Sequence, residues 1–328
     1  MHGSGKSFLQ LAVLAFTAMF TAGAMAQAYP AKPLRIVVTF TTGGAADIGA
    51  RVLGERLSDL WKQQVVVENR VGAGGNIGIE AVQKSAADGH TLLMISNSHA
   101  VNVGLYDKLP FDLTRDFVGI TYVVSTPIVL VTHPRVPANS FPELVKLLRD
   151  NPGKYTYASC GNGTTHHLAM ELIKSQTQTF VVHVPYRGCS PATVDAVGGQ
   201  VDTLMVGIAP ALPHIRAGRL KALAVTGPVR AAAAPEIPTV KESGISSLRN
   251  YEVDGWYGLA APAGTPREVI AKIEADSKRI LGQPEVKQRL ASSGLEAITS
   301  TPEELMASLK ADIEKFRKVI DYARIKGD

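Results

Sequence analysis

LRIVVTFTTGGAADIGARVLGERLSDL, residues 34–60, is the stretch on which the fold turns. Residues 34–40 form a run that is apolar but for Arg35 and Thr39 and rich in β-branched side chains, the composition of a strand buried on both faces. Thr41, Thr42, Gly43 and Gly44 interrupt it. From Ala45 to Leu60 the period changes: Ile48, Val52, Leu53, Leu57 and Leu60 fall on one stripe of a helix. A buried strand that runs through glycines into an amphipathic helix is half of a βαβ unit. The next segments continue the alternation, with strands expected at 65–67 and 91–95 and a helix at 77–86. This is the pattern of a layered α/β domain with a mainly parallel sheet.

A second unit opens the same way. A strand at 123–132 precedes a helix that starts at Ser140, with Ser140 as N-cap, Pro142 in the first turn and Glu143 at the capping-box position. A strand at 155–159 then runs into a second glycine loop, Gly161-Asn162-Gly163-Thr164-Thr165, and a helix through His167 and Leu172. Strands are expected at 180–184, 201–206, 222–226 and 256–260, and a helix at 191–197. Thr265-Pro266-Arg267-Glu268 and Thr301-Pro302-Glu303-Glu304 read as two helix starts, each with Thr as N-cap. The chain is expected to cross from the first unit to the second near 122–134 and to return near 250–259, so that the C-terminal helices complete the first.

Composition bounds the function. The chain has 328 residues, 45% hydrophobic and 19% charged, which is globular and long enough for two domains. Aromatics are 6%, too few for a single-strand nucleic-acid binder built on stacking. The net charge of +5 is dispersed and forms no basic arm. Lys6, the apolar run 8–20 and Ala24-Met25-Ala26 have the layout of a secretory signal peptide over residues 1–26. No other apolar run is of spanning length. Gly3-Ser4-Gly5-Lys6-Ser7 imitates a phosphate loop but lies in the leader, without the strand and upstream glycine such a loop needs.

The two βα loops carry the best chemistry. At the start of each helix the backbone N–H groups lack intrahelical partners and the dipole is positive, a site for a carboxylate or phosphate. Asp47 in the first turn also fits a purely structural role beside that dipole. Other motifs carry less. The 72–78 segment fails the dinucleotide fingerprint, because Ile77 stands where its last glycine belongs. Adjacent His166 and His167 point to different helix faces and make a poor metal chelate. There is no G-x-S-x-G and no carboxylate pair with acid/base spacing. Cys160 and Cys189 follow two strands that, as neighbours in a parallel sheet, would be ~4.8 Å apart. In an oxidising compartment they form a disulfide or stand as two small buried thiols.

Several segments together resemble one family. Tyr29-Pro30-Ala31-Lys32-Pro33-Leu34-Arg35-Ile36-Val37-Val38 with Gly43-Gly44-Ala45-Ala46-Asp47, Val65-Val66-Val67-Glu68-Asn69-Arg70, Gly72-Ala73-Gly74-Gly75-Asn76-Ile77-Gly78 and Asp88-Gly89-His90-Thr91 occur in order. Asn151-Pro152-Gly153-Lys154, Val184-Pro185-Tyr186-Arg187-Gly188, Gly198-Gly199-Gln200-Val201-Asp202, Leu212-Pro213-His214-Ile215 and Pro262-Ala263-Gly264-Thr265-Pro266 continue the series. The ordered set resembles the substrate-binding proteins of tripartite tricarboxylate transporters, the Bug receptors.

That resemblance implies a two-domain α/β Venus flytrap of the periplasmic-binding-protein type, with two interdomain crossings. Residues 27–127 and 254–328 would form domain 1, and residues 128–253 domain 2. It implies a monomeric, non-enzymatic periplasmic receptor that captures a small organic carboxylate and delivers it to the membrane subunits of a tripartite transporter, with no cofactor, metal or nucleic acid. The ligand set implied is Phe40, Thr41, Thr42, Gly43, Gly44, Ala45, Asp47, Ser96 and His99 from domain 1. From domain 2 it is Ser159, Cys160, Gly161, Asn162, Gly163, Thr164, Thr165 and Gly207. The sequence departs from the family pattern at Thr41-Thr42, where proline is common before the glycine pair. It departs also at Cys160 and Cys189, where small residues are common, and at Gly207, where an acidic residue often stands. Two alternatives stay open: a ligand-presenting partner of a periplasmic sensor, and a secreted hydrolase using Cys160 with His167.

Overall fold

The computed structural model describes residues 29–106, 108–186, 188–323 and 325. The expected leader and Arg187 of the quoted motif lie outside the described residues.

Strand β1 (Leu34–Val38) is buried except at Arg35, the one charge in its otherwise apolar run. Helix α1 (Ala45–Trp61) follows, then β2 (Val65–Asn69), α2 (Asn76–Gln83), β3 (Thr91–Ser96), α3 (Asn97–Leu105) and β4 (Phe117–Thr126). The second unit comprises β5 (Ile128–Thr132), α4 (Phe141–Asp150), β6 (Thr156–Ser159), α5 (Thr165–Thr177), β7 (Val182–Pro185), α6 (Cys189–Val197), β8 (Thr203–Gly207), α7 (Ile208–Arg216) and β9 (Lys221–Val225). The chain then returns through β10 (Gly255–Pro262), α8 (Arg267–Leu281), α9 (Pro284–Ser292), β11 (Glu296–Ala297) and α10 (Pro302–Ala323). There are two sheets, ordered β11-β4-β10-β3-β1-β2 and β7-β6-β8-β5-β9.

Neither sheet is mainly parallel, which corrects the expectation from the strand–helix alternation. β1 is parallel to β2 and β3, and β6 to β7 and β8, where helical crossovers deliver each strand in the same direction. β10 is antiparallel to β3 and β4, β11 to β4, and β5 to β8 and β9. β4 takes the chain out of the first sheet and β10 brings it back, so side by side they must run in opposite directions.

The expected strand 123–132 is two strands in different sheets. Pro127, which has no N–H for a ladder, falls at the change. The return crossing runs beside it, with Thr226 N donating to Ile128 O (2.9 Å) and Val253 N to Thr226 O (3.0 Å). Two helices, α3 and α7, were not anticipated. At the helix starts, Ser140 Oγ and Thr301 Oγ1 accept from Glu143 N and Glu304 N as expected. Thr265 does not cap α8; its hydroxyl donates to Pro262 O (2.8 Å) and closes the preceding turn.

One apolar cluster is continuous across both sheets. It joins Val37 and Leu93 of the first to Leu130, Tyr157 and Met205 of the second, under Val101 of α3, Leu168 of α5 and Phe316 of α10. A second lies under α1 and α8, and a third under α6 and α7. Among the described residues no helix is long and apolar enough to cross a membrane.

Candidate functional site

The loop after β1 is braced from beneath. The buried Asp47 carboxylate accepts from Gly43 N (2.9 Å), Arg51 Nε (3.0 Å) and Asn69 Nδ2 (2.9 Å), and Asn69 also donates to Phe40 O (3.1 Å). Burial alone would raise its pKa, but these donors outweigh it and hold the group below the usual carboxylate range. Asp47 therefore shapes the loop and is saturated by the protein. Gly43 sits at φ +84°, a conformation that favours glycine. Gly44 caps α1 without any side-chain hydrogen bond, which leaves the first-turn N–H groups for another acceptor.

His99 forms the floor under this loop. Its Nδ1 accepts from Ser96 N (3.2 Å) and its Nε2 lies 2.7 Å from Thr39 Oγ1. A backbone N–H can only donate, so Nδ1 is unprotonated and Nε2 carries the proton that Thr39 accepts. Burial lowers the His99 pKa to about 3, so the ring stays neutral. Phe40 stacks on it at 5.4 Å and meets Tyr257 edge-on at 5.7 Å.

The loop after β6 is held by a histidine pair. Ser159 Oγ lies 2.7 Å from His183 Nε2, and the His183 and His167 rings stack at 3.9 Å. His167 Nδ1 accepts from Gly163 N (3.1 Å), and Thr164 Oγ1 caps α5 by accepting from His167 N (3.3 Å) while donating to Gly161 O (2.8 Å). Burial lowers His167 to about 4. His183 is lowered to about 3, by burial first and then by His167. Below them Glu171 accepts from Tyr157 and from Lys174 (2.6 Å). Cys160 and Cys189 are joined as a disulfide, with Cα atoms 4.3 Å apart. The bridge removes the free thiol that the hydrolase alternative needs, and His167 is committed to Gly163 N. His166 lies beside the two sulfurs, but with both in the disulfide the trio offers no thiolate to a metal.

The two loops meet over one cavity of about 350 Å³, near the lower end for small-molecule sites. Of the expected ligand set, Phe40, Thr41, Asn162, Gly163 and Thr164 line it. Thr42, Gly43, Gly44 and Ala45 continue the first loop beyond the lining. Ser96 and His99 are fully buried beneath it, and Ser159, Cys160 and Gly161 stand behind the second loop. Thr165 is turned to α3, its Oγ1 3.1 Å from Ser98 Oγ and 3.4 Å from Asn97 Oδ1. Gly207 is at the crossing, where a Cβ would lie 3.2 Å from Thr126 Oγ1, and is not in the lining.

Sequence reasoning missed Thr39, the 71–75 loop and the α3 face of Ser98, Asn102, Leu105 and Tyr106, all of which line the cavity. The glycine loop was visible, but as a failed dinucleotide motif. Gly75 sits at φ +99°, where a Cβ would come within 3.1 Å of Thr39 and 3.2 Å of His99 Nε2. Its glycines allow the backbone to close against that floor.

Comparison with known proteins places this geometry. A family model described as the tripartite tricarboxylate transporter family receptor matches residues 49–324. A protein from Pseudomonas sp. (strain P51), named as a UPF0065 protein in the tcbD-tcbE intergenic region, is 38% identical over 96% of this chain and 93% of its own length. A solved structure described as a periplasmic transporter superposes with a TM-score of 0.77 at 37% identity, covering 92% of this chain and all of the other. R. palustris Rpa4515, solved with adipate, superposes with a TM-score of 0.77 at 30% identity, over 91% of this chain and 99% of its own.

Proposed function

The chain belongs to the tripartite tricarboxylate transporter receptor family, and from that premise we propose that it captures a small organic carboxylate between its two sheets and hands it to the membrane subunits of such a transporter. The family is one of solute-binding receptors and not of enzymes. The observation that carries the reading is the meeting of two glycine-containing βα loops, one from each sheet, over a single cavity. Loop N–H groups and helix N-termini give a carboxylate charge-assisted hydrogen bonds without a fixed cation. A relative of the same fold was solved with a dicarboxylate. In this reading residues 27–127 with 254–328 and residues 128–253 are the two domains that close on the ligand. Residues 1–26 send the chain to the periplasm.

Native mass spectrometry of the purified protein, followed by calorimetry with a panel of carboxylic acids, tests it. A bound acid, or micromolar binding of a panel member, is expected. A Gly44→Val variant should fold, since a Cβ there meets only Thr41 O at 3.5 Å, and should lose that binding. A protein that binds no acid, or a variant of unchanged affinity, would refute the proposal or remove Gly44 from the site, respectively.

A further inference from the structure

The cavity has an electrostatic asymmetry. Gly75 is the N-cap residue of α2, Ser98 lies in the first turn of α3, and Thr164 caps α5; all three line it. Three helix N-termini thus converge on one small volume, each contributing about half a positive charge. Among the described residues, no side chain in the lining carries a formal charge of either sign. Among the described residues, the nearby acids Asp47 and Glu171 are committed elsewhere, Asp47 to Gly43, Arg51 and Asn69, and Glu171 to Tyr157 and Lys174.

Most of the polar lining is also engaged. Thr39 pairs with His99, and Ser98 with Thr165. Asn102 donates both amide protons, to Gly74 O (2.8 Å) and Asn76 Oδ1 (2.9 Å). Thr164 bridges Gly161 O and His167 N. Among the described residues, the hydroxyls of Thr41 and Tyr106 make no side-chain hydrogen bond. Asn162 adds a neutral amide, and the rest of the wall is Phe40, Val71 and Leu105, together with glycine backbone.

We infer that this receptor selects carboxylates that carry no ammonium group, a claim that rests on the carboxylate-receptor reading above. The positive helix ends and loop N–H groups stabilise the carboxylate. The same field repels an α-ammonium, which finds no carboxylate partner among the described residues and loses its hydration on entering. Phe40, Val71 and Leu105 take an apolar or aromatic body. Organic acids therefore bind, and the amino acids of identical skeleton do not.

The experiment is calorimetry on the mature protein with matched pairs: 3-phenylpropionate and L-phenylalanine, hexanoate and L-norleucine, glutarate and L-glutamate. Whichever acid binds, its amino partner should be weaker by about a hundred-fold, the scale of an uncompensated buried charge. A Thr41→Asp variant, at an exposed loop position, supplies the missing acceptor and should narrow that gap at least ten-fold. An amino acid bound within ten-fold of its acid overturns the inference while leaving the receptor reading intact. So does a gap unchanged in a folded Thr41→Asp variant. Failure of every acid, with none retained in native mass spectra, overturns the receptor reading itself and the inference with it.

Discussion

Gly294→Ala perturbs the contact between the two halves at one point. Gly294 lies in the turn between α9 and β11, the edge strand of the first sheet, at φ +69°. A Cβ built on it falls 1.9 Å from the Cβ and 2.9 Å from the Cα of Ala209, on α7 of the second sheet. Two costs are separable. An L-residue in the left-handed region loses about 1–2 kcal/mol in any state of the receptor. The overlap costs extra only while the two flanks touch. Ordinary contact begins at 3.4 Å, so the flanks must part by about 1.5 Å there, and neither neighbour is the end of a flexible side chain. Overpacking of this kind adds about 1–3 kcal/mol. Gly218→Ala is the control: it has φ +68° and nothing within 4 Å of its Cβ. Urea denaturation and small-angle scattering of both variants against the parent decide the matter. Gly218→Ala should lose only the backbone cost and keep the parent radius of gyration. Gly294→Ala should lose more and expand. Two variants that behave alike would refute the reasoning.

The Asp254 carboxyl lies at the return crossing, accepts from Gly255 N and Ile128 N, and is raised to about 7 by burial and then by Glu296. Its neutral form is the favoured one in the fold, so its contribution to stability is present below pH ~4 and is lost as pH rises through ~7. Asp254→Asn should remove that loss, and an unchanged difference between variant and parent across pH 4–8 in urea titrations would contradict it. His99 and His167 are lowered to about 3 and about 4, so each should subtract about 1.4 kcal/mol of stability per pH unit as pH falls from ~6.5 toward its folded value; a stability flat over pH 6.5–4.5 in a His99→Gln, His167→Gln and parent comparison would refute this. The Cys160–Cys189 bridge spans a separation of 29 residues, worth about 3–4 kcal/mol by loop closure, so the double serine variant should unfold at lower urea, and two titratable thiols in unreduced, denatured parent protein would rule the bridge out. Scattering with a bound acid should show compaction, and an identical radius of gyration at saturation would argue against closure.

The β1–loop–α1 unit was legible because its signals are local: a buried run, a glycine that only a left-handed turn requires, and a one-sided helix. Asp47 was legible only in part. Its place in the first turn of α1 was visible, but its bond to Asn69 comes from the end of β2 and saturates a group that looked available. The α3 helix was missed because the polar Ser96-Asn97-Ser98 at its start carries no apolar stripe, and no element was assigned between 95 and 123. Asn97 Nδ2 and Ser98 Oγ find partners far along the chain, the Asp254 carbonyl and Thr165 Oγ1, while Ser96 N donates to His99 Nδ1 within the helix start itself. Much of the missing cavity wall follows from that omission, since Ser98, Asn102, Leu105 and Tyr106 all stand on or just after α3. Pro127 was visible too, but a proline does not say that the strand beyond it joins another sheet.

What the two halves share decides how they can part. The cluster joining α3, α5 and α10 to both sheets cannot be exposed cheaply, since each Å² of apolar surface returned to water costs about 25 cal/mol. α10 is further tied by Asp312, which accepts from Trp256 Nε1 (2.8 Å), and by Lys315 Nζ, which donates to Glu252 O (3.1 Å). The other flank is different. There, among the described residues, the halves meet through the Gly294–Ala209 contact and one hydrogen bond from Ala232 N to Glu296 Oε1 (3.0 Å). A bond of that kind contributes about 0.5–1.5 kcal/mol and exchanges readily for water. Opening should therefore pivot on the α3–α5–α10 side and release the α7–α9 side. Hydrogen exchange reads this directly. The Ala232 amide should exchange fast in the ligand-free receptor and gain protection when an acid binds, while the α10 amides around Phe316 stay slow in both states. Rapid exchange in α10 that an acid suppresses would place the pivot elsewhere and undo the argument.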